Sequence, residues 1–313
     1  MDKSRIMEGA TAASIDRSRA SLKIQDGCDF QCTYCIIWVA RGKSRSLPKE
    51  KIREQLEQLI DDGFYEIALT GINIGQYEEP QKLKGKTDLT ALLEYLCEIP
   101  KPFRLRLSSL DPYEVTPELI NLVANNSKIC PYFHLSIQSA NNFVLKRMAR
   151  RHHTQDVKET CLAIKQQIPH AAIGADIIVG FPGETDDYFE ETFNNLKNWP
   201  VDYLHVFSYS KRKDTPAAEF EAQVSDADKK IRSKRLIALS KIKRLAFYEQ
   251  NLGKTRQVVI EKGGQSGLTE NYIPVDLETM AESAQKGSVC NVRLNRVEMD
   301  TVFAQAVEHV TLV

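Results

Sequence analysis

The 313-residue sequence contains no apolar run approaching the length of about 18 residues that a membrane span requires. Its N-terminus has no signal-peptide core. Net charge is missing as well: 42 basic residues meet 42 acidic ones, so any contact with nucleic acid has to come from local patches. There is no solenoid repeat and no low-complexity tract. Nor is there an even complement of cysteines. Seven are present, and without a secretion signal a disulfide framework is disfavoured. These absences lead to the expectation of a cytoplasmic, non-membrane protein whose clustered cysteines hold a metal. The apolar fraction of 42% suits a full core, and the length suits one large domain followed by a small one.

The cysteines that are clustered lie in DGCDFQCTYC, where Cys28, Cys32 and Cys35 stand four and three residues apart. A structural zinc site wants four ligands, and His134, the nearest histidine, is far along the chain. Three thiolates in one loop suit a 4Fe-4S cubane with three corners held by protein and the fourth iron open to a small molecule. Zinc remains the other reading of these residues.

Around this loop the sequence alternates. Short β-rich runs appear at 20–26, 66–72, 104–110, 133–139, 173–180 and 203–209, and segments of helical periodicity lie between them. In PKEKIREQLEQLIDDGF, Ile52, Leu56, Leu59 and Ile60 fall on one face and Gly63 supplies the stop. Further helices are expected near 87–97, 115–126, 154–167 and 184–198, with a long basic one at 226–251. Six βα units predict a parallel α/β sheet forming a partial (βα)6 TIM-like barrel, with its working residues where strands end and loops begin. The cysteine loop follows the first strand. From 252 to 313 the pattern becomes apolar–polar alternation with Gly-containing turns, which predicts a small all-β, OB-like barrel. Residues 1–19 are polar and patternless and read as a linker or residual N-terminal arm; 20–251 form the core.

Cys28-x3-Cys32-x2-Cys35, with Tyr34 just before the last cysteine, resembles the radical S-adenosylmethionine (SAM) superfamily. In that family the amino and carboxylate groups of SAM chelate the open iron, and the reduced cluster splits the sulfonium to give a 5'-deoxyadenosyl radical. The stretches KIQDGC, EIALTGINIGQY, RLRLSSLDP, HLSIQSANNFVLKRMARRH, ADIIVGFPGET and HVFSYSKRKDTPAA are similar to the methylthiotransferase branch, most of all to its MtaB type. The resemblance implies methylthiolation of N6-threonylcarbamoyladenosine at position 37 of tRNA, a C-terminal TRAM domain that grips tRNA, and an electron donor such as flavodoxin or ferredoxin. Enzymes acting on isopentenyladenosine tRNA or on a ribosomal protein share the same core. A non-catalytic tRNA-binding remnant is the reading from a different class.

Within that frame, Cys28, Cys32 and Cys35 are the expected cluster ligands and Tyr34 their neighbour in the cofactor pocket. Gly71 and Asn73 end the second strand, Gly71 small enough for close backbone approach to SAM and Asn73 able to hydrogen-bond it, although a plain strand-to-loop turn explains both as well. Ser108, Ser109 and Asp111 end the third strand and could meet ribose hydroxyls or the substrate, although Asp111-Pro112 equally suits turn punctuation. Gln138 and Ser139 end the fourth, candidates for SAM or ribose contacts. Ile178 suits an adenine face and Gly180 permits close approach; GFPGE is not a phosphate-binding P-loop, since no Gly-Lys-Ser/Thr follows. Arg41, Arg45, Arg150, Arg151 and Arg212 lie just after strand ends and are candidate phosphate contacts, with Arg293 supplying a patch on an otherwise slightly acidic C-terminal barrel. Solvated faces are the bland alternative for each.

Methylthiotransferases also carry an N-terminal domain whose three cysteines hold a second, auxiliary 4Fe-4S cluster, where the sulfur is thought to reside. Cys97, Cys130, Cys161 and Cys290 have no close-spaced partners and do not replace those ligands. The expectation is a truncated form, a natural variant, or a separate chain that supplies the missing domain. Smaller departures are Trp38-Val39 after the cysteines, Ser208 for a usual proline, and Lys213-Asp214 for a usual Pro-Gly.

Overall fold

The computed structural model describes residues 18–80, 88–261, 264–278 and 287–310. Apart from residues 18 and 19, the expected N-terminal arm lies outside the described residues. In chain order the elements are β1 (Ala20–Lys23), β2 (Gln25–Asp26), α1 (Ile37–Arg41), β3 (Arg45–Ser46), α2 (Lys49–Asp61), β4 (Glu66–Thr70), α3 (Leu89–Cys97), β5 (Arg104–Leu107), α4 (Pro117–Asn125) and β6 (Tyr132–Gln138). They continue with α5 (Asn142–Arg147), α6 (Thr154–Gln167), β7 (Ala172–Val179), α7 (Asp186–Asn198), β8 (Tyr203–Ser208) and α8 (Asp226–Asn251). The last five are β9 (Thr255–Ile260), β10 (Ser266–Thr269), β11 (Pro274–Leu277), β12 (Val289–Glu298) and β13 (Thr301–Val310).

The expected βα alternation is present. Strands β1, β4 and β5 pair in parallel, as do β6, β7 and β8. The two triplets meet where Leu110 donates to the His134 carbonyl and accepts from the Ser136 amide, both at 2.8 Å. Among the described residues β1 pairs with β4 and β8 with β7, with no pairing between β1 and β8, so the barrel is partial. Each helix starts where chemistry allows. Asp88, Thr116, Thr185 and Ser225 accept from the backbone amides of Ala91, Leu119, Tyr188 and Asp228, satisfying donors that the first helical turn leaves unpaired. Helices α1 and α5 are too short to show periodicity in the sequence.

The strands sort their side chains by face. Leu22, Ile67, Leu105, Leu135 and Ile177 point outward under the helices and are fully buried, each contributing roughly 1.5–3 kcal/mol of hydrophobic burial. The inward face is polar instead: Arg104 and Arg106 on β5, His134 on β6 and Asp176 on β7. Helix α8 is basic as expected, but Arg232 is buried, bonded to Glu184 at 2.7 Å and Asp186 at 2.8 Å.

Strands β9–β13 close into a five-stranded barrel in the order β10-β11-β13-β12-β9. Its interior is Val258, Ile260, Ile273, Val275, Val292, Leu294, Val302 and Ala304. Gly267 is required at its wall, since a Cβ there would lie 2.2 Å from Val258 Cγ1. This barrel seats against the N-terminal ends of the parallel strands. Arg104 donates to the Gln257 and Leu268 carbonyls, and Arg106 to those of Thr269 and Glu270. Both guanidiniums clamp Glu66, which is fully buried. Burial alone would push that carboxyl up; the two arginines instead hold it down at about 2. Tyr272 stacks on Tyr132 with centroids 4.2 Å apart.

Candidate cofactor site

The cysteine loop leaves β1 at the C-terminal edge of the sheet and is held there by Gln25, which is fully buried. Its amide oxygen accepts from the Ile72 and Asn73 backbone amides at 3.1 and 2.9 Å, and its amide nitrogen donates to the Gly27 carbonyl and Ser44 Oγ at 2.7 and 2.8 Å. Gly71 lies against this clamp: a Cβ there would sit 2.8 Å from Gln25 Oε1. Its small size accommodates the glutamine. Gly27 has φ +75° and would drive a Cβ to 2.0 Å from the Lys43 carbonyl oxygen, so only glycine fits. The far end of the loop is tied to α5 and the 217 region. Thr33 Oγ1 donates to the Arg147 carbonyl at 2.8 Å, and the Ala217 amide donates to the Thr33 carbonyl at 2.9 Å.

Cys28, Cys32 and Cys35 are unpaired thiols lining one cavity of about 210 Å³. Tyr34, Asn73, Ser109, Asp111, Ser136, Gln138 and Arg150 share the lining. The Phe30 and Ile37 amides donate to the sulfurs of Cys28 and Cys35, and Arg150 Nη1 to that of Cys32, each at 3.4 Å. Burial pushes the Cys28 thiol up to about 11 and that of Cys35 up as well. Thiols so placed become thiolates when a bound cation compensates the charge. Each sulfur already meets a hydrogen-bond donor suited to a cluster ligand, so the donor set fits a three-thiolate 4Fe-4S cluster. The polar lining beside it offers the functional groups a sulfonium amino acid would need.

Of the expected cofactor contacts, Tyr34, Asn73 and Gln138 line this cavity. Gln138 adopts φ 70°, a left-handed conformation rare for a non-glycine residue and characteristic of constrained sites. Ser108 does not line it; Ser109 does. The Ser108 hydroxyl is nonetheless buried without a hydrogen-bond partner. Ile178 and Gly180 are also outside the lining. Ile178 packs in the apolar cluster of Val144, Met148, Phe181 and Tyr209 that backs Tyr34. Gly180 (φ +71°) forms a corner whose amide donates to Glu184 at 2.7 Å, tying β7 to the Arg232 ion pair on α8. GFPGE thus forms a tight corner after β7.

Arg150, expected among the phosphate contacts, lies at the cysteine cavity. Its side chain is buried rather than poised for phosphate. It donates to Asp111 Oδ2 and to the Ser136 carbonyl as well as to Cys32, and its Nε is buried without a partner. Burial opposes its charge, yet Tyr34, Asp111 and Cys32 keep it firmly protonated. Asp111 is pushed up by burial but held below the usual carboxylate range by His152 and Arg150. Glu114, bonded to Asn73 Nδ2 at 2.9 Å, is raised to about 7 by burial and the neighbouring Asp111 charge. Arg45 is likewise engaged, bonded to Asp26 at 3.0 Å and to the Arg41 carbonyl. Arg151 and Arg212 are exposed, Arg151 lying 4.1 Å over the Phe30 ring, and Arg41 is half-buried. Arg293 is exposed on β12, part of the barrel that seats at the other end. Arg296, also on β12, is ion-paired with Glu278 and Glu298.

Arg150 and Ser136, which line the cavity, and Gln25, which holds its loop, are not singled out by the sequence as cofactor contacts, whereas Ser109 and Asp111, expected near ribose or substrate, do line it. Gln25 sits in the quoted KIQDGC stretch, so its motif is visible though its role is not. Asp214, the departure from a usual glycine, has φ 65°, a conformation that Asp tolerates better than most residues.

Residues 22–196 match the family model described as the Radical SAM superfamily. The chain is 40% identical over 271 residues to threonylcarbamoyladenosine tRNA methylthiotransferase MtaB of Bacillus subtilis (strain 168), covering 84% of this chain and 60% of that protein. It is 34% identical to the protein of the same name from Chlamydia pneumoniae, covering 93% of this chain and 68% of the relative. Relatives named for other substrates match at similar identity. They are a tRNA-2-methylthio-N(6)-dimethylallyladenosine synthase of Pelotomaculum thermopropionicum, at 37%, and the ribosomal protein uS12 methylthiotransferase RimO of Protochlamydia amoebophila, at 36%. Among solved structures, coproporphyrinogen III oxidase (HemN) from Escherichia coli superposes with a TM-score of 0.50 at 13% identity, covering 91% of this chain and 70% of that one, a likeness of fold alone. The chain belongs to the radical SAM superfamily and, within it, to the methylthiotransferases of the MtaB type. It spans about 60% of the length of the first curated relatives it matches.

Proposed function

We propose that this chain is the SAM-cleaving and tRNA-holding portion of a methylthiotransferase that modifies N6-threonylcarbamoyladenosine at position 37 of tRNA. The observation that carries the reading is the single cavity in which three unpaired thiols face Asn73, Ser109, Asp111, Ser136 and Gln138. When bound, a reduced 4Fe-4S cluster supplies the electron that cleaves the sulfonium of SAM. Cys28, Cys32 and Cys35 hold it. Gln25 fixes the loop and Asn73 relative to one another, so ligands and cofactor contacts share one frame. Arg150 neutralises thiolate charge at Cys32, and its buried Nε is a donor without a protein partner. A flavodoxin- or ferredoxin-type protein is the expected electron source.

The domain division follows the same reading: an α/β core over 20–251 and a TRAM-like barrel over 252–313. The barrel and the exposed arginines Arg151, Arg212 and Arg293 would engage tRNA phosphates from both ends of the core. Sulfur delivery belongs to a second cluster. Among the described residues Cys97, Cys130, Cys161 and Cys290 form no second three-cysteine group, so that part of the reaction is assigned to a separate domain or chain. Dimethylallyladenosine tRNA and uS12 are the competing substrates, since relatives so named match almost as well. Mass spectrometry of tRNA nucleosides from cells with and without the gene decides. Loss of 2-methylthio-N6-threonylcarbamoyladenosine on deletion is the expected result; an unchanged nucleoside profile overturns the assignment.

A further inference from the structure

His134 lies four residues before Gln138 on the inward face of β6, deeper in the barrel than the cysteine cavity, whose lining includes none of the residues that surround it. Asp176 on β7 and His205 on β8 are register partners. His134 Nε2 and His205 Nδ1 both address one oxygen, Asp176 Oδ1, at 2.9 and 3.5 Å. One ligand atom from each of the three residues falls within 4.8 Å of the others. We propose that His134, Asp176 and His205 bind one divalent transition-metal ion of the zinc class, at a site distinct from the cysteine loop.

The donor set is two imidazoles and a carboxylate, a combination that suits zinc and its first-row neighbours and leaves coordination positions for water. Separations of 2.9 and 3.5 Å between donors are close to those imposed by metal–ligand bonds of about 2.0–2.2 Å. The two histidine nitrogens lie within 4.8 Å of each other. The outer shell is also built. His134 Nδ1 lies 3.2 Å from both the Tyr132 and Tyr203 hydroxyls, which are 2.7 Å from each other. A donor–acceptor partner on Nδ1 sets the tautomer and directs the Nε2 lone pair at the ion. Gly174, the register partner of His134, makes this possible: a Cβ there would lie 2.3 Å from the Tyr203 ring and 2.7 Å from His134 Nδ1.

Access and purpose follow from the position. His134 is buried, while the His205 side chain is 49% exposed and opens the site to entering ions. An ion there would cross-link β6, β7 and β8, the triplet that ends at the unpaired edge of the partial barrel, just above the Tyr132–Tyr203–Tyr272 floor.

The test uses the full chain with its iron–sulfur cluster loaded, so that the cysteine loop is occupied, and in the oxidised state, in which a 4Fe-4S cluster is EPR-silent. Equilibrium dialysis against Zn2+ measures bound zinc, and Co2+ supplies a paramagnetic probe of the same site. The expected result is one Zn2+ per chain and a high-spin Co2+ signal, both weakened by about tenfold or more in His205→Gln and in Asp176→Asn. His205 is exposed, so its variant carries the test alone should Asp176→Asn fail to fold. Absence of one-to-one zinc binding, or binding unchanged in His205→Gln, overturns the proposal and leaves a hydrogen-bonded His–Asp–His network.

Discussion

The two ends of the parallel barrel are built on opposite principles. At the N-terminal end the buried charge of Glu66 is saturated: it is clamped by Arg104 and Arg106, which also donate to carbonyls of the C-terminal barrel. At the C-terminal end chemistry is left unfinished. Three thiols are unpaired, Arg150 Nε and Ser108 Oγ are buried without partners, and Gln138 is held left-handed. Orphaned polar groups cost about 1–3 kcal/mol each, and they persist where a ligand is to meet them.

The largest expected effect is at the unfinished end. Cys32→Ser should leave the anaerobically reconstituted protein with iron near background and abolish SAM cleavage, where the parent holds about four irons per chain. Retention of parental iron content in that variant would remove Cys32 from the ligand set. At the saturated end, Glu66→Ala leaves two buried guanidiniums without their counter-charge. A loss of about 3–5 kcal/mol in urea unfolding is expected, and a loss below 1 kcal/mol would show the seam to be solvated. Acid tests the same contact. The Glu66 carboxyl sits at about 2 in the fold against an ordinary 4.5, so its stabilisation is present in full above pH 4.5 and fades as pH falls toward 2. Glu66→Gln should flatten the stability profile across that window. Glu114 runs the other way: raised to about 7, it stabilises below pH 4.5 and that contribution is lost as pH rises toward 7.

A smaller change is expected at Arg150. Removing its charge and its donor to Cys32 favours the oxidised, less negative cluster, so Arg150→Gln should lower the midpoint potential. A loss of about 1.4 kcal/mol corresponds to about 59 mV for a one-electron couple. An unchanged potential by EPR-monitored titration would make the arginine a purely structural bond to Asp111 and Ser136. The smallest effects belong to the surface. Arg212→Ala and Arg293→Ala should each reduce the salt slope of tRNA binding by about 1 with little change in stability; slopes equal to the parent's would take both off the RNA path.

Much of this was legible in the sequence, for identifiable reasons. The six core strands and the long helices declared themselves by alternation and by a 3.6-residue period, and the cysteine loop by its spacing and its place after β1. What escaped was carried by contacts across long separations. Gln25 reads as one polar residue in a strand, and its role exists only because the 70–73 turn and Ser44 come to it. Arg150 reads as part of a basic run, and only the fold shows it buried against Cys32, whereas Arg151 next to it stays outside. The packing around two glycines was equally hidden: Gly71 lies against Gln25, and Gly180 turns a tight corner.

The account stands on a cluster with one iron left to SAM, and low-temperature EPR of the reduced, anaerobically reconstituted chain before and after adding SAM tests it most directly. A 4Fe-4S signal whose g-values shift when SAM binds is the predicted result. A signal indifferent to SAM, or protein carrying zinc in place of iron at Cys28, Cys32 and Cys35, would contradict it.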